Sequence, residues 1–267
     1  MLNQMRGVGD SNIPGIFVTT KEELEEKWKI HGIQAVYLID QIELLRVIKQ
    51  LGGACIYLEK QNGIICCEAD YIWQMSDETD LPDEAYIHRV WQRHMHLPWL
   101  ITKTEHLLLR ESVMEDLPCF QQFYKEERDN PDVQQLCEGE EQLHTYIAAR
   151  YPLFEYGLWT IVDKATGTVF GRAGIEELPE DYGDLAGEPE LSYLIGKEYR
   201  GSGIAQEACQ AILHYAAEEL EMKRIYLRTS RENFHSRKLA EKLGLLKVES
   251  ITEYKDLLYC GLLTFER

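Results

Sequence analysis

Apolar positions along this chain follow two rhythms, and the change between them marks its most informative stretch. Leu191, Tyr193 and Ile195 recur every second residue, the pattern of a half-buried strand. Ile204, Ala208, Ala211, Ile212, Tyr215 and Leu220 then recur at helical spacing. Between them runs Gly196-Lys-Glu-Tyr-Arg-Gly-Ser-Gly203, a basic, glycine-rich turn that must therefore sit at a helix N-terminus.

The same rhythms order the rest of the chain. Residues 1 to about 18, rich in Gly, Asn and Ser, read as a poorly ordered lead-in, and Thr20-Lys-Glu-Glu23 has capping-box spacing for a charged helix that Gly32 ends. Val36 to Ile39 predicts a strand, Gln41 to Gln50 a helix with Ile42, Leu45 and Ile48 on one face, and Ala54 to Leu58 a second strand. Asn62-Gly63 predicts a turn into Ile64-Ile65-Cys66, with Tyr71-Ile72-Trp73 extending the sheet. A helix opens at Pro82-Asp-Glu-Ala, runs through Tyr86, Val90 and Trp91, and ends at Pro98.

Further on, Leu107 to Arg110 predicts a strand, and Met114 to Tyr124 and Gln142 to Ala149 predict helices. Leu158 to Asp163 and Thr168 to Ile175 predict a hairpin around Ala165-Thr166-Gly167. After the helix that begins at Ile204 come a strand at Arg224 to Thr229, a helix from Arg237 to Leu243 closed by Gly244, and closing strands at Leu246 to Ser250 and Leu257 to Phe265. The reading is of two domains: a small α/β module of unknown function over 1–103, and a second domain over 104–267.

The chain has 267 residues and a formal net charge of −18, which argues against nucleic acid as its ligand and favours a cationic or amine-bearing one. Seven cysteines lack any Cys-x-x-Cys pair, so neither a disulfide framework nor a zinc site is indicated, and the vicinal pair Cys66-Cys67 reads as packing. On a helix His94 and His96 diverge by about 200° and cannot share an ion, so no metal is expected. The first residues have no signal-peptide core, and no run of 18 apolar residues occurs, so the expectation is a cytoplasmic protein with no membrane partner.

The first N–H groups of a helix lack internal partners and carry the positive end of its dipole, so the turn suits a phosphate. Gly201 and Gly203 allow close backbone approach and Arg200 adds a fixed charge. The spacing, Arg-x-x-Gly-x-Ala, is that of neither a dinucleotide fingerprint nor a P-loop. Alone, such a turn also fits a plain strand-to-helix connection. Asp40, at the end of the first strand, reads more simply as a turn residue than as a catalytic acid.

Taken with Asn233-Phe-His-Ser236 and Glu241-Lys-Leu-Gly-Leu245, the turn resembles that of the GNAT superfamily of acyl-CoA N-acyltransferases, over residues 104 to 267 or so. The Glu190-Leu-Ser-Tyr193 pattern is similar to the branch that includes ribosomal-protein N-terminal acetyltransferases. The resemblance implies a mixed, largely antiparallel sheet flanked by helices, within an overall α/β (α+β) chain. It also implies acetyl-CoA as co-substrate, held by Arg200, Gly201, Ser202, Gly203, Ile204 and Ala205 at its pyrophosphate. Tyr193, Leu194, Ile195, Asn233 and Ser236 are then expected along the thioester and pantetheine arm, with the N–H groups of Leu194 and Ile195 free for the oxyanion if the phosphate strand splays from its neighbour.

Glu190 is the candidate base, although it reads equally as an exposed strand acid beside Pro189. Ser236 is a coenzyme contact first and a candidate acid second, because Ala240 stands where many members carry a tyrosine. The expected reaction is transfer of an acetyl group to a primary amine, by direct attack in a ternary complex; the amine is a peptide N-terminus, a polyamine or another small amine. The alternative is a catalytically weak acyl-CoA sensor signalling through the first module. The seven acids between Glu176 and Glu190 read as a solvated loop or as a lip drawing in the amine. The oligomeric state stays open, a homodimer included.

Overall fold

A computed structural model describes residues 13–60, 68–127, 139–248 and 256–263. The chain divides into two compact units, Met1–Trp99 and Leu100–Arg267.

In the first unit β1 (Gly15–Phe17), β2 (Val36–Ile39), β3 (Ala54–Glu59) and β4 (Ile72–Gln74) form a parallel sheet in that order. β1 falls within the stretch read as irregular: three residues are too few to show a period, and only pairing with β2 makes them a strand. Helices α1 (Lys21–His31), α2 (Ile42–Gln50) and α3 (Glu84–His94) separate or follow the strands, with Thr20 capping α1 and Asp83 capping α3. Tyr37, Ile39 and Cys55 pack with Leu24, Leu44, Leu45 and Ile48 of α1 and α2. Val36, Leu38, Ile56 and Leu58 face the other way, against Ile87, Val90 and Trp91 of α3. Burial on both faces is why β2 and β3 read as continuous apolar runs. Asp40 is tied at the end of β2, where its carboxylate meets Lys60 Nζ at 3.0 Å and its carbonyl accepts the Tyr57 hydroxyl. The turn at Asn62-Gly63, Ile64 to Cys66 and the vicinal cysteines lie outside the described residues.

The second unit's sheet has the order β11-β12-β10-β9-β8-β7-β6-β5. These strands are β5 (Leu100–Lys103), β6 (Leu107–Arg110), β7 (Leu158–Asp163), β8 (Val169–Glu177), β9 (Pro189–Ile195), β10 (Arg224–Thr229), β11 (Leu246–Lys247) and β12 (Leu257–Leu262). Every pairing is antiparallel except β9 with β10. Helices α4 (Leu117–Glu126), α5 (Glu140–Phe154), α6 (Ile204–Glu218) and α7 (Phe234–Lys242) flank it. α5 runs well beyond the predicted Gln142 to Ala149 and includes Pro152. Part of the predicted strand Leu246 to Ser250, and the end of Leu257 to Phe265, lie outside the described residues.

Trp159 of β7 is fully buried, edge-on to Tyr215 of α6. On the opposite side of β7, Asp116 receives both Arg110 guanidinium nitrogens at 2.7 Å, with Val113 N and the Thr160 hydroxyl on the same carboxylate. The pair locks the segment after β6 onto β7 away from water. Removing one partner strands a buried charge, so Asp116→Ala is expected to cost about 3–5 kcal/mol. A urea denaturation series reads this as a lowered midpoint, and an unchanged midpoint contradicts it.

Candidate active site

β9 is bound to β8 along its whole length, from Glu177↔Pro189 to Gly171↔Ile195, but it meets β10 at one pair only, Tyr226↔Glu190. Past Glu190 the two strands part. Antiparallel neighbours exchange hydrogen bonds at alternate residues, and Gly196 N donates to Phe170 O at 3.0 Å, which puts the Leu194 N–H on the β8 side as well. Leu194 is therefore not the oxyanion donor expected from sequence; the N–H groups of Tyr193 and Ile195 face the gap. Gly171 assists, because a Cβ there would collide with the Leu194 carbonyl oxygen and the Ile195 Cα. That peptide leans into β8, and so aims its Ile195 N–H the opposite way.

A tight turn at Lys197–Tyr199 follows, with the Tyr199 ring tilted against that of Phe170. Arg200 donates from Nε to the Ile195 carbonyl at 2.8 Å and from Nη2 to Glu127 at 2.6 Å, so it braces the turn. Gly201 and Gly203 have φ of 79° and 91°, and a Cβ on either would point into open space. The Ser202 hydroxyl is occupied by the Tyr199 carbonyl. Gly203 opens the 15-residue α6, with Ile204 and Ala205 in its first turn. Glu207, the acid of that turn, is held by Thr104 and His106 and has its pKa lowered by those bonds against the opposing effect of burial.

A cavity of about 1390 Å³ runs from this turn through the gap, with Lys197, Arg200, Lys238 and Lys242 among its lining. Asn233 caps α7, its side-chain oxygen accepting Ser236 N at 3.1 Å. Ser236 is buried next to Tyr193, whose pKa burial pushes up to about 12, Ser236 opposing. The Tyr193 hydroxyl is thus protonated at neutral pH.

Alternation along β8 separates the cavity's two sides. Ala173 and Ile175 pack toward α6, with Ala208 and Ile212. Arg172 points the other way, over the Phe120 ring and onto the Tyr124 hydroxyl of α4. Glu176 shares Arg172's face, and its register partner is Glu190. Glu190 is buried, with Arg228 Nε 3.2 Å from its Oε1. Burial raises the pKa of Glu176, against the opposing pull of Arg172, Arg150 and Arg228. Glu176 lies one residue beyond the strand end predicted at Ile175, at the start of the acidic run predicted as a loop or lip. β8 continues to Glu177, and a period of two carried one turn of the pleat further would have placed Glu176 beside Glu190.

The acidic run is partly neutralised from elsewhere. Arg150 holds Glu177 through two bonds, and Arg224 lies 3.6 Å from Glu188. Residues Glu180–Leu185 form a short helical turn, with Tyr182 buried beside Arg228. Among the described residues no cluster of His, Cys, Asp or Glu is placed to hold a metal, and no helix is long and apolar enough to cross a membrane.

The profile of the Acetyltransferase (GNAT) domain matches residues 106–246, more than half of the chain. The chain belongs to the GNAT acetyltransferase family. A similar curated protein, "Uncharacterized N-acetyltransferase YjdG" of Bacillus subtilis (strain 168), is 30% identical over 101 residues, 38% of this chain and 58% of that one. The chain spans about half the length of the curated relatives it matches. An acetyltransferase from Agrobacterium tumefaciens str. C58 superposes with a TM-score of 0.50 at 26% identity, covering 60% of this chain and 92% of that one. RimL, a ribosomal L7/L12 alpha-N-protein acetyltransferase solved in complex with coenzyme A, shares the fold at a TM-score of 0.50 and 15% identity, over 62% of this chain and 98% of that one. The GNAT sheet, mixed and largely antiparallel, is thus the one expected.

Because a methyl at Gly171 would meet backbone, Gly171→Ala is expected to destabilise the GNAT unit by about 1–3 kcal/mol. Chemical unfolding of the full chain measures it, and wild-type stability in the variant would show that β9 does not lean on β8 as described.

Proposed function

We propose that the protein transfers the acetyl group of acetyl-CoA to a primary amine by direct attack in a ternary complex. The observation carrying this reading is the parting of β9 from β10 beside a cationic, glycine-lined helix start. When bound, acetyl-CoA supplies an acetyl thioester. The residues present fit it: Lys197, Arg200, Lys238 and Lys242 are among the cavity's lining in a chain with net charge −18, and the turn leaves open space over Gly201 and Gly203.

The first N–H groups of α6, with Gly201 and Gly203 giving close approach, bind the pyrophosphate, while Lys197, Lys238 and Lys242 add charge. Arg200 holds the turn in shape. Tyr193 and Ile195 donate their N–H groups to the thioester carbonyl oxygen, where negative charge develops. Tyr193 and Ser236 line the pantetheine arm, and the Tyr193 hydroxyl, protonated at neutral pH, offers a proton on that side, which answers the alanine at 240. Asn233 acts first as the cap that positions Ser236.

The acceptor approaches the opposite face, where Glu176 and Glu190 lie side by side. An acidic face favours a protonated amine over neutral or anionic acceptors. A peptide N-terminus and a polyamine both satisfy that chemistry.

Mass spectrometry after incubation with acetyl-CoA and a panel of N-terminal peptides, spermidine and small amines tests the reading. Acetylated product from at least one is expected; coenzyme binding without product from any amine would sink it. Gly203→Ala, which forces a side chain to adopt φ of 91°, is expected to weaken acetyl-CoA binding about tenfold by calorimetry, the equivalent of about 1.4 kcal/mol. Undiminished affinity would take the turn out of the coenzyme site.

A further inference from the structure

We propose that Glu176, rather than Glu190, accepts the proton of the incoming ammonium. The assignment rests on the acetyl-transfer reading of the cavity. The two carboxylates are register partners on one face of the β8–β9 ladder, and both line the cavity. Their surroundings differ. Glu190 is engaged by Arg228, which also lies 3.8 Å from Asp256. A carboxylate that faces a guanidinium takes up a further proton less readily than one that does not. Among the described residues, no hydrogen bond or ion pair reaches the Glu176 carboxylate.

The charged and titratable groups around Glu176 come from four elements. Arg172 and Glu177 lie on its own strand, Arg150 and Tyr146 on α5, Glu190 on β9 and Arg228 on β10. Each arginine is turned onto another partner: Arg172 onto Tyr124, Arg150 onto Glu177, and Arg228 onto Glu190. Glu176 is left ionisable, half-buried and able to receive a cation. Burial raises its pKa, which brings it closer to that of the group it must deprotonate.

The position also suits the direction of attack. Side chains at 173 and 175 face α6, while 176 faces away, so Glu176 stands on the acceptor side of the gap and the Tyr193–Ser236 pair on the other. In the step, Glu176 takes one proton from the ammonium, and the freed nitrogen lone pair forms a bond to the thioester carbonyl carbon as the carbon–sulfur bond breaks. The second nitrogen-borne proton ends on the departing sulfur, giving free thiol and amide. Glu176 then releases its proton to solvent. Glu190, fixed by Arg228, shapes the acceptor site without taking part in the transfer.

The test uses the full chain as wild type, Glu176→Gln and Glu190→Gln, with whichever panel amine the wild type acetylates. The amide variant is isosteric, and acetyl-CoA affinity by calorimetry reports whether the fold and coenzyme site survive. Glu176→Gln is expected to lower kcat by about 10²- to 10⁴-fold with acetyl-CoA affinity unchanged. Base catalysis by Glu176 makes wild-type activity fall as pH drops through its raised pKa. In Glu176→Gln that limb should move up to the ionisation of the amine itself, so much of the deficit recovers at high pH. Glu190→Gln should keep the wild-type acid limb. A third readout needs no coenzyme: carboxyl ¹³C NMR titration, assigned by loss of a signal in Glu176→Gln, should find this group titrating above the usual glutamate value of about 4.3.

Product from the wild type with Glu176→Gln within threefold of it and an unmoved acid limb overturns the assignment alone. Loss of the acid limb in Glu190→Gln instead would return the role to Glu190. No product from the wild type with any amine removes the acetyl-transfer reading, and this assignment with it.

Discussion

β9 and β10 touch at Glu190 and Tyr226 and then part, and the cavity, its donors and its two-sidedness all follow from that divergence. A strand inside a sheet normally has both edges satisfied, and backbone groups left unpaired in a protein interior are costly. Here, among the described residues, the edge of β9 toward β10 has no strand partner beyond Glu190. Arg200 answers one of its carbonyls, that of Ile195, from the turn that follows. The outward N–H groups of Tyr193 and Ile195 remain directed at the gap, where an incoming carbonyl oxygen can use them. Continuous pairing with β8 holds the other edge of β9, and the absence of a side chain at Gly171 lets the Leu194 peptide lean into β8.

Charge is distributed with the same division. A chain of net charge −18 would repel a polyanionic coenzyme if its charges were spread evenly. Instead Lys197, Arg200, Lys238 and Lys242 line one part of the cavity, and Glu207, the acid nearest the start of α6, is drawn onto Thr104 and His106. Glu176 and Glu190 lie on the face of β8 and β9 turned from α6. Arginines from α5 and β10 then neutralise particular acids, Glu177, Glu188 and Glu190. What distinguishes Glu176 is its neighbours' other commitments rather than its own sequence context.

The first unit offers a contrast. Its parallel strands are covered on both faces by helices, and Asp40, where a catalytic acid would stand in some α/β folds, is tied to Lys60 and Tyr57. Its described residues serve packing and turn formation.

By itself the sequence determined the elements whose signal is local. Periodicities of two and 3.6 located β7, β8, β10, α2 and α6, and the order Arg200, Gly203, Ala205, Asn233, Ser236 was enough to resemble one family. Local rules failed where pairing or packing decides. β1 and β5 are short strands that exist through their neighbours, and α5 continues past the residues whose period announced it. Only the tertiary structure could assign Leu194 N–H to β8, since which edge a peptide faces depends on register. Only it could bring Arg228 to Glu190 across 38 positions of sequence and leave Glu176 beside them without an ion pair among the described residues, because charge partners on neighbouring strands are set by the sheet and not by the chain.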